Sequence, residues 1–430
     1  MKAAFYTLGC KVNQYETQLM EQKLANAGFE IVSPDEYADV YVVNSCTVTA
    51  ESDRKTRQII RRLKAVNPRA VAVLSGCFPQ SSPERARGIP EADVIAGTRE
   101  RANIAELVAE ALATGGRVES VAPFENDSFE ENSSAEGFLG RTRAFVKIED
   151  GCQSYCSYCI IPFARGPVRS KPAEAVHSEI SGLVSAGYKE AVLVGINLSS
   201  YGKDIGSSLT EAIRAACSTG IDRVRLGSLE PNIITEEFIE CASSMPNLCP
   251  HFHLSLQSGC ESTLVRMNRR YTPERYAQAV EALRRAFPGC AVTTDIIAGF
   301  PGETDEEFLQ SLEFAKRINF AQAHIFAYSK RTGTKAAEMP SQVSKLEKNR
   351  RSRLLIEACA QSHEQFLKQH VGKTLPVLYE AGENGGYEGF APDYTKVVVK
   401  SRTDLQGKIL DTLITGVDGS DCIGEISRQV

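Results

Sequence analysis

The sequence predicts an α/β protein in three parts: an N-terminal parallel α/β domain, an open (β/α)6 barrel and a small C-terminal β-barrel module. Three observations carry this. Short β-rich apolar runs alternate with helical patterns through the first 118 residues, six further strand candidates recur at the spacing of βα units, and helical periodicity stops near Thr374. At roughly 150 residues per domain, a chain of 430 residues holds about three. A composition of 42% hydrophobic and 24% charged residues is that of a globular protein and excludes disordered or coiled-coil chains.

Taken in order, residues 1–118 read AAFYTL, helix, VYVV, helix, AVAVL, helix, VIAG, helix, the signature of a parallel sheet with crossover helices. Residues 119–141 are acidic, rich in Ser and Asn and without period, and are expected to form a linker. From 142 to 370, strands are expected to start near Phe145, Ala191, Asp222, Phe252, Ala291 and Gln322, roughly 30–45 residues apart, room for one strand and one crossover helix. Six such strands fall short of the eight that close a barrel, so the barrel is open and its reactive residues belong just after strand C-termini. Residues 371–430, with turns at GENGG and DGSD, make the β module.

Thirteen cysteines is an odd number, and the start MKAAFYTLGCK lacks the charged and apolar regions of a secretory signal. A reducing cytoplasm is therefore the expected location. No apolar run approaches the length of a membrane span, and the net charge of -5 is too mild to argue for or against a nucleic-acid partner.

The strongest local signal is Cys152, Cys156 and Cys159 in GCQSYCSYC, directly after the first barrel strand. Three thiolates on one short loop suit a four-iron cluster with one iron left open, whereas zinc prefers four ligands and no fourth cysteine stands nearby. A zinc loop completed by a distant ligand, or three buried thiols, is the bland alternative. Cys10, Cys46 and Cys77 form a second set, far apart in sequence, each two or three residues after a strand. Parallel strands end on one edge, which brings these sulfurs together for a second cluster; against this, reduced cysteine is a common small hydrophobe. The remaining seven cysteines show no such placement and are assigned to packing.

The C-x3-C-x2-C loop resembles that of the radical S-adenosylmethionine superfamily, and GINLSSYG, LGSLEP, HLSLQSG and DIIAGFPGET follow at matching places after later strands. GFPGET would otherwise read as a turn with Thr304 capping a helix. The resemblance implies that the open iron is chelated by S-adenosylmethionine, which one electron splits to a 5′-deoxyadenosyl radical. It also implies that Tyr158 packs on the adenine, Gly195 and Asn197 approach the methionine amino group, Glu230 and Gln257 lie near the ribose and reacting centre, and Gly299 lies against the adenine.

Across the whole chain, the sequence resembles the methylthiotransferases. GCKVNQYE, NSCTVTAESDRKTRQIIRR, GCFPQ and CSYCIIPFARGPVRSK are similar to the branch acting on threonylcarbamoyladenosine in tRNA, with Ser45, Phe78-Pro79 and Lys171 as modest departures. This implies two [4Fe-4S] clusters and methylthiolation of carbon 2 of an adenine beside the tRNA anticodon. One S-adenosylmethionine methylates a sulfur carried by the N-terminal cluster, and a second supplies the radical that removes the carbon 2 hydrogen. An electron donor and a sulfur source, unidentified, are implied as partners. Other readings are action on isopentenyladenosine tRNA or a ribosomal protein, or a non-catalytic iron–sulfur RNA-binding sensor.

RNA binding calls for local basic groups. Arg54, Lys55, Arg57, Arg61, Arg62 and Lys64 fall on one helix after Cys46, and Arg266, Arg269 and Arg270 form another group. Of these, Arg57, Arg61 and Arg62 are expected to contact the anticodon stem-loop; otherwise the helix is a solvated face. The tail resembles the TRAM module, an RNA-binding barrel, yet residues 372–430 hold six Lys/Arg against nine Asp/Glu. RNA contact there is expected from Lys396, Lys400 and Arg402, or from stacking by Tyr387, Phe390 and Tyr394.

Overall fold

The computed structural model describes residues 1–125, 129, 142–382 and 385–427. Its contacts divide the chain into two compact units: the first joins the N-terminal stretch to Glu149–Lys171 and Ser329–Glu338, and the second holds the rest. Most of the segment 119–141, expected to be a linker, lies outside the described residues.

The first unit opens with β1 (Lys2–Thr7), α1 (Lys11–Asn26), β2 (Glu30–Val32), β3 (Val40–Ser45), α2 (Ala50–Val66), β4 (Val71–Gly76), α3 (Cys77–Ser81), α4 (Pro83–Arg87), β5 (Val94–Ala96), α5 (Ile104–Thr114) and β6 (Val118–Ser120). The strands form one parallel sheet in the order β2-β1-β3-β4-β5-β6. Successive side chains go to opposite faces: Val40, Val42, Val71 and Val73 pack with Met20 and Leu24 of α1 and Ile104 and Val108 of α5. Tyr41, Val43, Ala72 and Leu74 pack with Ile60 and Leu63 of α2. Both faces are therefore dry, which is why these strands read as continuous apolar runs. The four expected strands are present; β2 and β6 are additional edge strands of three residues each, too short to show a period.

After β7 (Arg143–Lys147) the chain returns to the first unit as β8 (Glu149–Asp150), α6 (Ile161–Arg165) and β9 (Arg169–Ser170), β8 pairing antiparallel with β9. The second unit continues with α7 (Ala173–Ser185), β10 (Glu190–Val194), α8 (Leu209–Cys217), β11 (Arg223–Leu226), β12 (Ser228–Leu229), α9 (Glu236–Ser243), β13 (His251–Leu254), α10 (Glu261–Arg266), α11 (Pro273–Ala286), β14 (Ala291–Ala298), α12 (Asp305–Ile318) and β15 (Gln322–Ala327). Two parallel sheets, β7-β10-β11 and β12-β13-β14-β15, supply six strand positions, because β11 and β12 are halves of one strand interrupted at Gly227. Among the described residues β7 and β15 do not pair, so the barrel is open. Thr304 does cap α12, in a reciprocal capping box with Glu307. A short helix, α13 (Lys335–Glu338), belongs to the first unit, and the long α14 (Lys345–Lys368) to the second.

The tail is a closed five-stranded barrel, β16 (Thr374–Tyr379), β17 (Gly386–Phe390), β18 (Lys396–Lys400), β19 (Ile409–Asp418) and β20 (Asp421–Ile426), in the order β16-β17-β18-β20-β19. Val377, Tyr379, Val397, Val399, Ile414 and Cys422 fill it. Within the second unit its 390–395 turn docks on β7, β10, β11 and β13, at their N-terminal ends. Arg225 donates to the carbonyls of Ala391 and Pro392, and Arg223 to those of Phe390 and Pro376. The Arg143 guanidinium lies 4.3 Å from the Phe390 ring centroid, and that of Arg225 lies 4.7 Å from the Tyr394 centroid. Glu190, fully buried, binds Arg225 through both oxygens at 2.7 and 3.1 Å. Phe390 and Tyr394 thus stack on each other and on arginines of the barrel, instead of being offered to RNA bases.

Candidate active site

β1, β3 and β4 are neighbours in the first unit's sheet, and each ends beside one cysteine of the second set. Cys10 precedes α1, Cys46 follows β3, and Cys77 opens α3. With parallel strands ~4.8 Å apart, their C-termini bring the three residues to one edge. Gly9, at φ +117°, lets the first loop lie against the second: a Cβ there would stand 2.9 Å from the Cys46 Cβ. Asn13 ties the same loops, donating from Nδ2 to the carbonyls of Leu8 at 2.8 Å and Ser45 at 3.1 Å. Cys10 is exposed, whereas Cys46 and Cys77 are buried. Burial pushes the Cys77 thiol up to about 12 against the pull of Arg165, and Cys46 and Cys10 are near enough to push it further. Among the described residues no three Cys, His, Asp or Glu side chains form a metal-ready group, so what converges is strand ends rather than a finished ligand set.

Arg165, at the end of α6, is fully buried beside this edge. Its Nε donates to Cys77 Sγ at 3.2 Å, its Nη2 to Asn13 Oδ1 at 2.7 Å and Glu16 Oε2 at 3.0 Å, and its Nη1 to Glu16 Oε1. Asp150 lies 3.5 Å from Arg165 and 3.4 Å from Arg169, and Arg101 lies 3.2 Å from Glu16. Glu16 and Asp150 are thus each shared between at least two guanidinia beside a buried sulfur. Sequence reading overlooked this cluster. Its signal was the occurrence of Asn13, Glu16 and Arg165 inside the motifs GCKVNQYE and PFARGPVRSK.

The C-x3-C-x2-C loop also lies in the first unit. It leaves β8 through Gly151, whose φ of +89° and closeness to the Pro167 carbonyl admit no side chain. The N–H of Cys152 donates to the Gly166 carbonyl, that of Ser154 to Cys152 Sγ at 3.5 Å, and that of Ala336 to the Ser157 carbonyl. Tyr158 is half-buried within the loop. None of the three is in a disulfide. Three soft sulfur donors on one strapped loop, with an N–H already turned to one sulfur, fit a cluster that keeps one iron for another ligand.

In the second unit, Gly195 and Asn197 follow β10, Glu230 follows β12, Gln257 follows β13 and Gly299 follows β14, all at the C-terminal edge of the parallel strands. Glu230 forms an ion pair with Arg269 at 3.2 Å, and Asn197 donates to Ser200 Oγ. Gln257 adopts φ +64°, which a residue other than glycine reaches only at a cost; its N–H and carbonyl pair with Asp295 and Ile297 of β14. Gly299 is approached by Lys348 of α14, whose Cγ would stand 2.5 Å from an added Cβ.

Of the basic groups on α2, Arg61 pairs with Glu91 and Arg62 donates to the Tyr6 hydroxyl, while Arg57 is half-buried and has no side-chain partner among the described residues. Lys396 is held between Glu388 and Asp421, whereas Lys400 and Arg402 stand exposed, with no ion pair among the described residues.

Residues 146–315 match the Radical SAM superfamily, and residues 2–97 match the family described as uncharacterized protein family UPF0004. The chain is 39% identical over 419 residues to the threonylcarbamoyladenosine tRNA methylthiotransferase MtaB of Bacillus subtilis, covering 96% of this chain and 93% of that one. It is 33% identical over 441 residues to a tRNA-2-methylthio-N(6)-dimethylallyladenosine synthase of Pelotomaculum thermopropionicum, covering 99% and 98%. The radical S-adenosylmethionine methyltransferase TsrM of Kitasatospora setae shares the fold, with a TM-score of 0.54 at 16% identity over 78% of this chain and 77% of that one. The chain belongs to the threonylcarbamoyladenosine tRNA methylthiotransferase family. Its radical SAM membership implies S-adenosylmethionine and one [4Fe-4S] cluster as cofactors. Among the described residues, no helix is long and apolar enough to cross a membrane.

Proposed function

We propose that this chain is the enzyme that places a methylthio group on carbon 2 of threonylcarbamoyladenosine beside the anticodon of tRNA, in the cytoplasm. The observation that carries the reading is the gathering of two three-cysteine sets in one compact unit, Cys152, Cys156 and Cys159 on a strapped loop and Cys10, Cys46 and Cys77 on three adjacent strand ends. Cys152, Cys156 and Cys159 would hold the cluster that binds S-adenosylmethionine, and Cys10, Cys46 and Cys77 a second [4Fe-4S] cluster. When bound, these groups supply a radical able to take hydrogen from an aromatic C–H bond and a sulfur able to be transferred, neither of which an amino-acid side chain provides.

The protein's part is to bind, orient and exclude water. Tyr158, Gly195, Asn197, Glu230, Gln257 and Gly299 would line the cofactor, with Gln257 fixed by its two backbone bonds to β14. Arg57, Arg61 and Arg62 would meet anticodon-stem phosphates, since exposed pairs such as Arg61–Glu91 are worth under ~1 kcal/mol and exchange readily for a phosphate. Lys400 and Arg402 add a smaller contact; Lys396 joins them only if RNA displaces its carboxylates.

The test is anaerobic reconstitution followed by reaction with S-adenosylmethionine, reductant and tRNA bearing threonylcarbamoyladenosine, reading 5′-deoxyadenosine and the methylthiolated nucleoside together. About eight irons per chain are expected from two cubane clusters. Changing Cys10, Cys46 and Cys77 to Ala should halve the iron and stop methylthiolation while cofactor cleavage persists. Four irons in the unaltered protein would remove the second cluster. Product found only on isopentenyladenosine or a ribosomal protein would move the substrate.

A further inference from the structure

We infer that Arg165 is a positioning residue for the N-terminal sulfur site: its guanidinium holds Cys77 in place and sets the reduction potential of the cluster that Cys10, Cys46 and Cys77 bind. The inference rests on the two-cluster reading and adds a role for a side chain outside both cysteine sets.

The geometry is specific. A guanidinium has donors in a fixed plane, and here Nε is spent on sulfur while the Nη groups are spent on Glu16 and Asn13. Glu16 and Asp150 hold Arg165 in place, and each of these carboxylates is shared with a second guanidinium, Arg101 or Arg169. Asn13, which takes one of the Arg165 bonds, also receives the Cys10 Sγ–H at 3.6 Å. One rigid cluster therefore touches two of the three sulfurs. An N–H directed at a cysteine sulfur and a nearby positive charge both favour the more negative, reduced form of a bound cluster, and solvent exclusion strengthens both effects. Arg165 should hold the potential up.

The experiment uses the full chain with Cys152, Cys156 and Cys159 changed to Ala, so that one cluster remains. Iron content and midpoint potential, by electron paramagnetic resonance in a redox titration, are read for Arg165, Arg165→Lys and Arg165→Gln. A second version, Arg165→Gln with Glu16→Gln, removes the carboxylate that would otherwise be left buried and unpaired. The expected result is full iron with a reduced-to-oxidised ratio at least tenfold lower at fixed potential in Arg165→Gln, about 59 mV for one electron, and a smaller change for Lys and for the double variant, in which the lost carboxylate offsets the lost guanidinium. Loss of iron in the Gln variants with retention in Lys also supports the inference, as failed positioning of Cys77. Unchanged potential at full iron in Arg165→Gln overturns it, and so does equal iron loss in all variants including Lys, which reduces Arg165 to scaffold. If the parent protein with intact Arg165 binds no iron, the two-cluster reading fails instead.

Discussion

Changing Glu190 to Gln should loosen the second unit more than any surface change. Glu190 is fully buried and stands between Arg225, bonded through both oxygens, and Arg223 at 3.7 Å. Burial pushes its carboxyl up, but the charges of Arg225, Arg143 and Arg223 and the Arg225 bond outweigh this and lower its pKa. The substitution keeps the volume but leaves Arg225 and Arg223 without their counter-ion, while Arg143 keeps Glu380. Removing one partner of a buried pair costs about 3–5 kcal/mol. For a cooperative unit of about 260 residues, an unfolding entropy of ~2.1 cal/mol/K per residue converts that into a fall in Tm of about 5–9 °C. Calorimetry on the reconstituted protein measures it, and limited proteolysis shows whether residues 371–430 become the first segment released. A fall under about 2 °C, with the tail still protected, would refute the view that this cluster welds the small barrel to the large one.

Changing Arg57, Arg61 and Arg62 together to Ala should weaken tRNA binding and flatten its salt dependence by roughly two units, since each phosphate contact contributes ~0.7–0.9; filter binding at several salt concentrations would return the helix to a solvated face if slope and affinity hold. Gln257→Gly removes a side chain from a left-handed position that costs L-residues about 1–2 kcal/mol, so Tm should stay level or rise while 5′-deoxyadenosine formation drops, and undiminished cleavage would exclude Gln257 from the cofactor site. Glu190, and Asp393 through its bond to His370 working against burial, have lowered folded pKa values. Their stabilisation is complete above the ordinary carboxylate range near ~4 and is lost as pH falls through the lowered values, so acid titration of Tm should steepen below about pH 4, and less so in Glu190→Gln.

The fold was legible where a local period carried it. VYVV and AVAVL announce strands buried on both faces, and the spacing of the later strands announces the open barrel, because both signals repeat within one element or one βα unit. The three-residue edges at Glu30 and Val118 carry no period. Arg165 was illegible for a different reason: an arginine in PFARGPVRSK reads as solvated until the fold brings Glu16 and Cys77 to it. Phe390 and Tyr394 misled in the opposite sense. In a tail resembling an RNA-binding barrel, aromatic residues suggest base stacking, but their ring partners, Arg143 and Arg225, lie far back in the chain, and only the tertiary dock reveals them.

The first unit is a domain in space but not in sequence, and this matters for how the protein is made. Arg165 meets Cys77 across 88 residues and Glu16 across 149, and Arg331 reaches Thr47 across 284. At ~5–20 residues per second, Arg165 leaves the ribosome about 7–30 s after Glu16, and Arg331 about 14–57 s after Thr47. During that interval the nascent sheet carries Cys10, Cys46 and Cys77 without the arginine that donates to Cys77 Sγ, and with Asp53 still lacking the Arg331 guanidinium. A fragment ending near residue 118 would hold the three cysteines without Arg165, which donates to Cys77, and without Arg331, which donates to Thr47.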